Sequence, residues 1–328
     1  MPKYIAHIGP HKTGSTYLQA SFQQWTPQLR ERGILYPQQW LDERAPGHLH
    51  LYARLRAGGD SELEREFAEL NSSEYRLILL SSEDLARLPA DGIAHLKSLL
   101  GDSSVTIVFY CRRWSEILPS GWKEQIKQGS VLAFPEFMAA HLANPFASNM
   151  INYSNVLDRY ADAFGKESIS IVSYNSVIER QGNLAAHFFK TFLKWPNSPL
   201  TDNSYLNVSL QDVDIELIRI MNVFERMRCG KCGPDIRVRY LKKKGNLDLA
   251  ALGAVMEADS GVLNLNEDNP ALRRLHEIIY EKYGDRLVPP RPPRHFFVPR
   301  RAQIRYIQQN YLVGPGVSDV LTGLYAQL

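Results

Sequence analysis

Apolar residues along the chain fall into two patterns. Residues 4–8, 77–80 and 105–110 are short continuous runs, and 168–179 opens with another, SISIVS. Their length and their β-branched and aromatic content predict buried strands. Between them the spacing is helical. Tyr17, Leu18, Phe22 and Trp25 share one face, HFFKTFLKW (187–195) is amphipathic, and QDVDIELIRIMNVFERM (211–227) carries a long apolar stripe. VLAFPEFMAAHLA and NVLDRYADAF, within 130–163, also read as helices, and the helix in YADAFGKE ends at Gly165. The alternation predicts an α/β chain.

Composition narrows the class. With 328 residues and 44% hydrophobic content the chain can bury a large core. Its 38 basic and 35 acidic residues nearly cancel, which excludes a general nucleic-acid binder and confines any anion site to a local patch. No apolar run reaches the length of a membrane span, and the segment before the first loop has no hydrophobic signal core. The expectation is a cytoplasmic protein. Three cysteines, Cys111, Cys229 and Cys232, make no disulfide framework at this length.

The chemistry concentrates in HIGPHKTGSTYLQ, residues 7–19. Gly9 and Pro10 break the first apolar run, and helical spacing begins after Gly14, so the segment joins a first strand to a first helix. Unpaired N–H groups and the positive dipole end at such a helix start favour an anion. Gly14 allows close backbone approach, Ser15 and Thr16 add hydroxyl donors, and Lys12 adds a full charge. The nucleotide triphosphate loop reads G-x-x-x-x-G-K-[ST]. Gly9 and Gly14 keep that spacing, but Ser15 stands in the lysine position and Lys12 comes three residues early. Neither RLILLSSED (76–84) nor VTIVFYCRR (105–113) ends its apolar stretch in an aspartate placed to hold magnesium. An early lysine without a metal ligand suits a less charged transferring group, such as a sulfuryl group.

PHKTGSTYLQ resembles the 5′-phosphosulfate loop of sulfotransferases that use 3′-phosphoadenosine 5′-phosphosulfate (PAPS), above all bacterial ones reading H-x-x-K-T-G-[ST]-T. The resemblance covers roughly residues 4–210. It implies an open, mainly parallel sheet flanked by helices, like that of the P-loop NTPases, with PAPS as cosubstrate and no required metal. It implies that His11, Lys12, Thr13, Gly14, Ser15, Thr16 and Tyr17 line the phosphosulfate site. The family's second signature is an arginine at the end of a later strand with a serine eight residues on, both binding the 3′-phosphate. VTIVFYCRRWSEILPSGWKEQ (105–125) matches it with Arg112 and Ser120. A guanidinium suits a phosphate dianion because it donates two parallel hydrogen bonds. Arg113 competes for the role, and the spacing favours Arg112. Trp114 stands where many relatives have proline. Tyr174, after the 168–173 run, matches in position a tyrosine that relatives place against the adenine.

Transfer to a hydroxyl or amine also needs a base. Glu83, just beyond the 77–80 run, matches a catalytic glutamate of carbohydrate sulfotransferases, and it reads equally as a first-turn residue of a helix capped by Ser81 or Ser82. The alternative base is His48 or His50, in APGHLHLYARL, and both also read as ordinary core or surface histidines. The expected partner is a small-molecule or carbohydrate acceptor. The rival functions are a nucleotide kinase or NTPase, which would depend on a divalent metal, and a non-catalytic nucleotide-binding protein.

Residues 30–75 read as an insertion within a 1–210 cofactor-binding core, placed to line an acceptor pocket. Residues 211–328 read as a mostly helical extension. Cys229-Gly-Lys-Cys232 lacks the second ligand pair of a zinc site and reads as a turn with two free thiols. The basic runs at 237–245 and 291–305 read as solvated surface, or as a grip for an anionic acceptor.

Overall fold

A computed structural model describes all residues except 44, 197–209, 248, 251–259, 267, 291–300 and 308–316. The described residues form two compact units, each drawn from three stretches of chain. The first holds 1–113, 152–206 and 274–298, and the second holds 114–151, 207–273 and 299–328.

The first unit is built on a parallel sheet. Strands β1 (Lys3–His7), β2 (Ile34–Leu35), β3 (Leu77–Ser81), β4 (Val105–Cys111) and β5 (Ile169–Ser173) lie in the order β2-β3-β1-β4-β5. All four pairings are parallel, with His7 of β1 level with Ser81 on one side and Val108 on the other. A parallel sheet is covered on both faces, so its central strands are apolar without alternation, which is why 77–80 and 105–110 read as continuous runs. One face packs Ile5, Leu79, Val108 and Tyr110 against Leu18 and Phe22 of helix α1 (Ser15–Gln24) and Phe188 of the helix Leu184–Thr191. On the other face Tyr4 meets Phe67 of the helix Ser61–Asn71 and donates to Asn71 Oδ1 at 2.8 Å, and Phe109 meets Tyr153 edge-on.

The 30–75 segment does more than line a surface. Its Ile34–Leu35 pairs with Leu77 and Ile78 as the edge strand β2. A two-residue strand is too short to show a periodicity of its own.

The strand order creates a switch point. The chain leaves β1 toward the β2 edge and leaves β4 toward β5. Neighbouring β1 and β4 therefore send their following loops in opposite directions, and ligands of open α/β sheets bind beyond the carboxyl ends of strands at such a switch point. The loop at Gly9–Gly14 follows β1, and Arg112 follows β4.

In the second unit, helices Trp114–Lys127, Phe134–Leu142, Asp212–Cys229, Asp235–Lys243 and Val317–Gln327 accompany an antiparallel pair, β6 (Ser260–Asn266) and β7 (Arg301–Ile307). The pair departs from the mostly helical expectation. A fully buried ion pair secures β7: Arg219 donates to Glu216 at 2.8 Å and to the Ile307 carbonyl at 2.7 Å, while Glu216 accepts the Ile307 N–H at 2.9 Å. Cys229 and Cys232 are free thiols, and Cys232 donates to the Gly129 carbonyl at 2.7 Å. In the 237–245 run, Lys244 pairs with Asp214 at 2.8 Å and Lys243 donates to the Gln327 carbonyl at 2.7 Å. Residues 291–300 of the other basic run lie outside the described residues. No described helix is long and apolar enough to cross a membrane.

Candidate functional site

The loop after β1 is held by its own hydroxyls. Thr13 is buried and donates to the Pro10 carbonyl at 2.6 Å, and Ser15 reaches the same oxygen at 3.4 Å. Three residues take left-handed backbone conformations: Gly9 (φ 86°), Lys12 (φ 68°) and Gly14 (φ 79°). Lysine adopts this conformation at a cost of about 1–2 kcal/mol. Such an outlier persists where the surroundings over-determine it, and these positions cluster at functional sites. Gly14 is also the residue that precedes α1, where no side chain caps the helix and no acidic residue occupies the first turn. A Cβ on Gly14 would lie 2.7 Å from Leu184 Cδ2 and 3.5 Å from Tyr174 Cε2. Leu184 and Tyr174 thus pack directly on Gly14, which leaves no room for a side chain there and, with its positive φ, accounts for the glycine.

Arg112 joins this loop from β4. Its Nη1 donates to the Lys12 carbonyl at 2.5 Å, and its guanidinium carbon sits 5.0 Å from the centre of the Tyr174 ring, a cation–π distance. Tyr153 donates to the Arg112 carbonyl at 2.8 Å. Arg113 points elsewhere: it is buried, with Nη1 2.6 Å from Glu179 Oε1. Tyr17 donates to Asn183 Oδ1 at 2.8 Å, and the same oxygen caps the helix Leu184–Thr191 by accepting from Ala186 N–H. Lys12, Gly14, Arg112 and Tyr174 therefore stand together. Thr16 is exposed on the first turn of α1. Ser120 lies in the second unit, half-buried on the helix Trp114–Lys127, directly after the internal Pro119.

Glu83 meets the loop from β3. It opens a 3-10 turn, Glu83–Arg87, rather than an α-helix. Its backbone rests on Gly9: a Cβ there would lie 2.8 Å from Glu83 Cα. Gln19, buried on α1, donates through Nε2 to Glu83 Oε2 at 2.7 Å. The Gln19 amide is pressed in turn by Gly47, where a Cβ would meet all three amide heavy atoms at 2.8 Å. Glu83 Oε1 faces His11 Nδ1 at 3.9 Å, and His11 Nε2 is 3.1 Å from Asp84 Oδ1. The His11 hydrogen bond, with help from Arg87 at 3.2 Å, holds the Asp84 carboxyl below its usual range.

The two alternative bases occupy different settings. His48 is fully buried against the Tyr36 ring, with Nε2 2.8 Å from the Pro37 carbonyl and Nδ1 accepting the Ser81 N–H at 3.1 Å. Both ring nitrogens are engaged, which sets the Nε2–H tautomer, and burial lowers its pKa to about 4. It braces the end of β3 as a core histidine. His50 is exposed, 3.8 Å from Asp42. Among the described residues, no group of three His, Cys, Asp or Glu side chains is arranged to hold a metal ion.

Gln19 and Asp84 are the site residues that sequence reasoning missed. Gln19 lies one turn after Ser15, on the face of α1 that starts at the loop, and that spacing was the available signal. Its burial depends on the ends of two other segments.

No protein-family model matches the sequence, and no curated protein matches it. Among solved structures, the chain is similar to a sulfotransferase from Alicyclobacillus acidocaldarius, with 12% identity and a TM-score of 0.43 over 72% of this chain and 99% of that one.

Proposed function

We propose that this protein is a sulfotransferase that moves a sulfuryl group from PAPS to a hydroxyl, or an amine, of a carbohydrate or other small metabolite. The observation that carries the reading is the meeting of Arg112 with the loop at Lys12 across the β1–β4 switch point. The contact brings a second cationic residue to a loop that already carries Lys12, which supports one cation for each end of a bisphosphorylated nucleoside. The residues present fit such a ligand: an uncapped helix start behind a left-handed glycine, a lysine on the loop, and a guanidinium beside an aromatic ring.

When bound, PAPS supplies an activated sulfuryl group on a phosphate leaving group. The start of α1, Ser15 and Thr16 hold the phosphosulfate, and Lys12 neutralises charge that develops as the bridging oxygen departs. Arg112 holds the 3′-phosphate, and Tyr174 lies against the adenine. Glu83 takes the acceptor proton. Its position beyond β3, with one oxygen fixed by Gln19 and the other facing the loop, supports that role over His48.

Isothermal calorimetry tests the reading. 3′-phosphoadenosine 5′-phosphate (PAP) should bind without added metal and more tightly than ATP with magnesium. Tighter binding of the magnesium–ATP pair would replace the sulfotransferase reading with a kinase or NTPase.

A further inference from the structure

His11 has a setting that anion binding alone does not account for. It sits between two carboxylates of one turn, Glu83 at Nδ1 and Asp84 at Nε2, and nearly half of its side chain is exposed. The other charged groups about it are Arg87, which pairs with Asp84, and the neighbouring Lys12. The 3.1 Å contact places the Nε2 proton on the Asp84 side, because a carboxylate accepts and does not donate. Nδ1 is then a bare acceptor turned toward Glu83 Oε1. Two acceptors facing each other at 3.9 Å gain nothing while Glu83 is ionised. Once Glu83 carries a proton, Oε1 becomes a donor, and Nδ1 is within one small side-chain rotation of receiving it. Apo sites commonly hold their catalytic hydrogen bonds at such loose distances.

We infer that His11 and Asp84 form a relay that takes the acceptor's proton from Glu83 and delivers it to solvent. The inference rests on the sulfotransferase reading of the site. As the acceptor oxygen bonds to sulfur and the sulfur–oxygen bridge to phosphate breaks, the hydroxyl proton moves to Glu83 Oε1. It passes next to His11 Nδ1, restoring the Glu83 carboxylate and leaving an imidazolium, whose Nδ1 proton then goes to water and restores the Nε2–H tautomer. No electrons are exchanged with any other group. Asp84 does not take the proton itself. Its bonds to His11 and Arg87 favour the ionised carboxylate, which orients the ring and stabilises the imidazolium, the logic by which a carboxylate supports a histidine in acyl-transfer triads. His11 and Asp84 act through Glu83 and are positioning residues. Gln19 completes the arrangement: with Oε2 committed to its amide, Oε1 is the oxygen left for the moving proton.

The test has two arms on the full chain. In the first, ¹⁵N NMR of the free protein at neutral pH reads the His11 tautomer and needs no turnover. The relay requires Nε2–H in the wild type and a mixed population in Asp84→Asn. A wild-type Nδ1–H, or a population that Asp84→Asn leaves unchanged, overturns it. In the second arm, turnover of PAPS with water as acceptor is followed as PAP release. His11→Ala should lose about 10- to 100-fold in kcat, and imidazole added to the buffer should restore much of it. Wild-type turnover in His11→Ala, or no response to imidazole, overturns the relay. PAP affinity is measured alongside. Loss of PAP binding by the wild type removes the sulfotransferase reading, whereas normal PAP affinity with an insensitive His11→Ala removes the relay alone.

Discussion

The guanidinium of Arg112 is hydrogen-bonded at 2.5 Å to the backbone carbonyl of Lys12, a residue one hundred positions earlier in the chain. The contact ties the end of β4 to the loop after β1. It also turns the carbonyl of a left-handed lysine toward a cation. Arg112 thus supports the loop, the proposed function gives it a ligand as well, and the two roles separate experimentally. Arg112→Ala should weaken PAP binding by about 10- to 100-fold, the worth of one charge-assisted bidentate contact. Adenosine 5′-phosphosulfate, which lacks the 3′-phosphate, should lose far less. Calorimetry with both ligands checks this, and equal losses would leave Arg112 as loop support only.

Glu83 and Gln19 should divide activity differently. Glu83→Gln keeps the shape of the side chain and removes its basicity, so transfer should disappear while PAP affinity stays within about twofold of wild type. Gln19→Leu leaves the half-buried Glu83 Oε2 without its 2.7 Å donor, at a cost of about 1 kcal/mol in stability. Its kcat should fall roughly 10-fold while KM for PAPS holds, because it displaces the base and not the cradle. Steady-state kinetics and a urea titration on the same samples separate the two variants. Full activity in Glu83→Gln would remove that residue from catalysis.

Lys12 carries its charge on a backbone that prefers glycine. Lys12→Ala and Lys12→Gly both delete the ammonium, yet only glycine relieves the φ of 68°. The glycine variant should be more stable than the alanine variant by about 1 kcal/mol, and both should be equally poor in transfer. Chemical denaturation measures the difference. Equal stabilities would mean that the loop does not impose this conformation in solution.

Several features of this architecture were legible in the residues alone. The strands at 4–8, 77–80 and 105–110 were visible because a parallel sheet covered on both faces demands unbroken apolar runs. The loop was visible because glycine, lysine and hydroxyl residues stand close together in sequence. Ile34–Leu35 was not, since an edge strand of two residues is defined by pairing with Leu77 and Ile78 rather than by its own pattern. The β6–β7 pair was missed for a related reason: its partners are far apart in sequence, with Ser260 opposite Ile307. GVLNLN does alternate, but inside a stretch read as helical. The supporting site residues were hidden by their chemistry. A glutamine on a helix and an aspartate after a glutamate both read as surface until the end of β3 brings them to the loop. His48 shows the converse, since a histidine that the residues alone offer as a base is sequestered by two backbone partners.

That sequestration has a pH signature. His48 and His7 are both fully buried, and burial lowers their pKa values to about 4 and about 3. In the unfolded chain a histidine titrates near 6.5. Between that value and the folded one, the unfolded state binds more protons than the native state, so stability is complete above about pH 6.5 and falls as the pH drops. Each of the two histidines should contribute a slope of about 1.4 kcal/mol per pH unit across its window, steepest below pH 6. Urea unfolding at pH 7, 6 and 5, followed by tryptophan fluorescence, should show this loss. His48→Gln should start from lower stability at pH 7, because the Pro37 carbonyl and Ser81 N–H lose well-placed partners, and its slope should be shallower than the wild type's by about 1.4 kcal/mol per pH unit. A variant that keeps the full slope would mean that His48 is protonated in the folded protein. In that case its Nδ1 could not accept from Ser81, and the end of β3, with Glu83 just beyond it, would have to be held in another way.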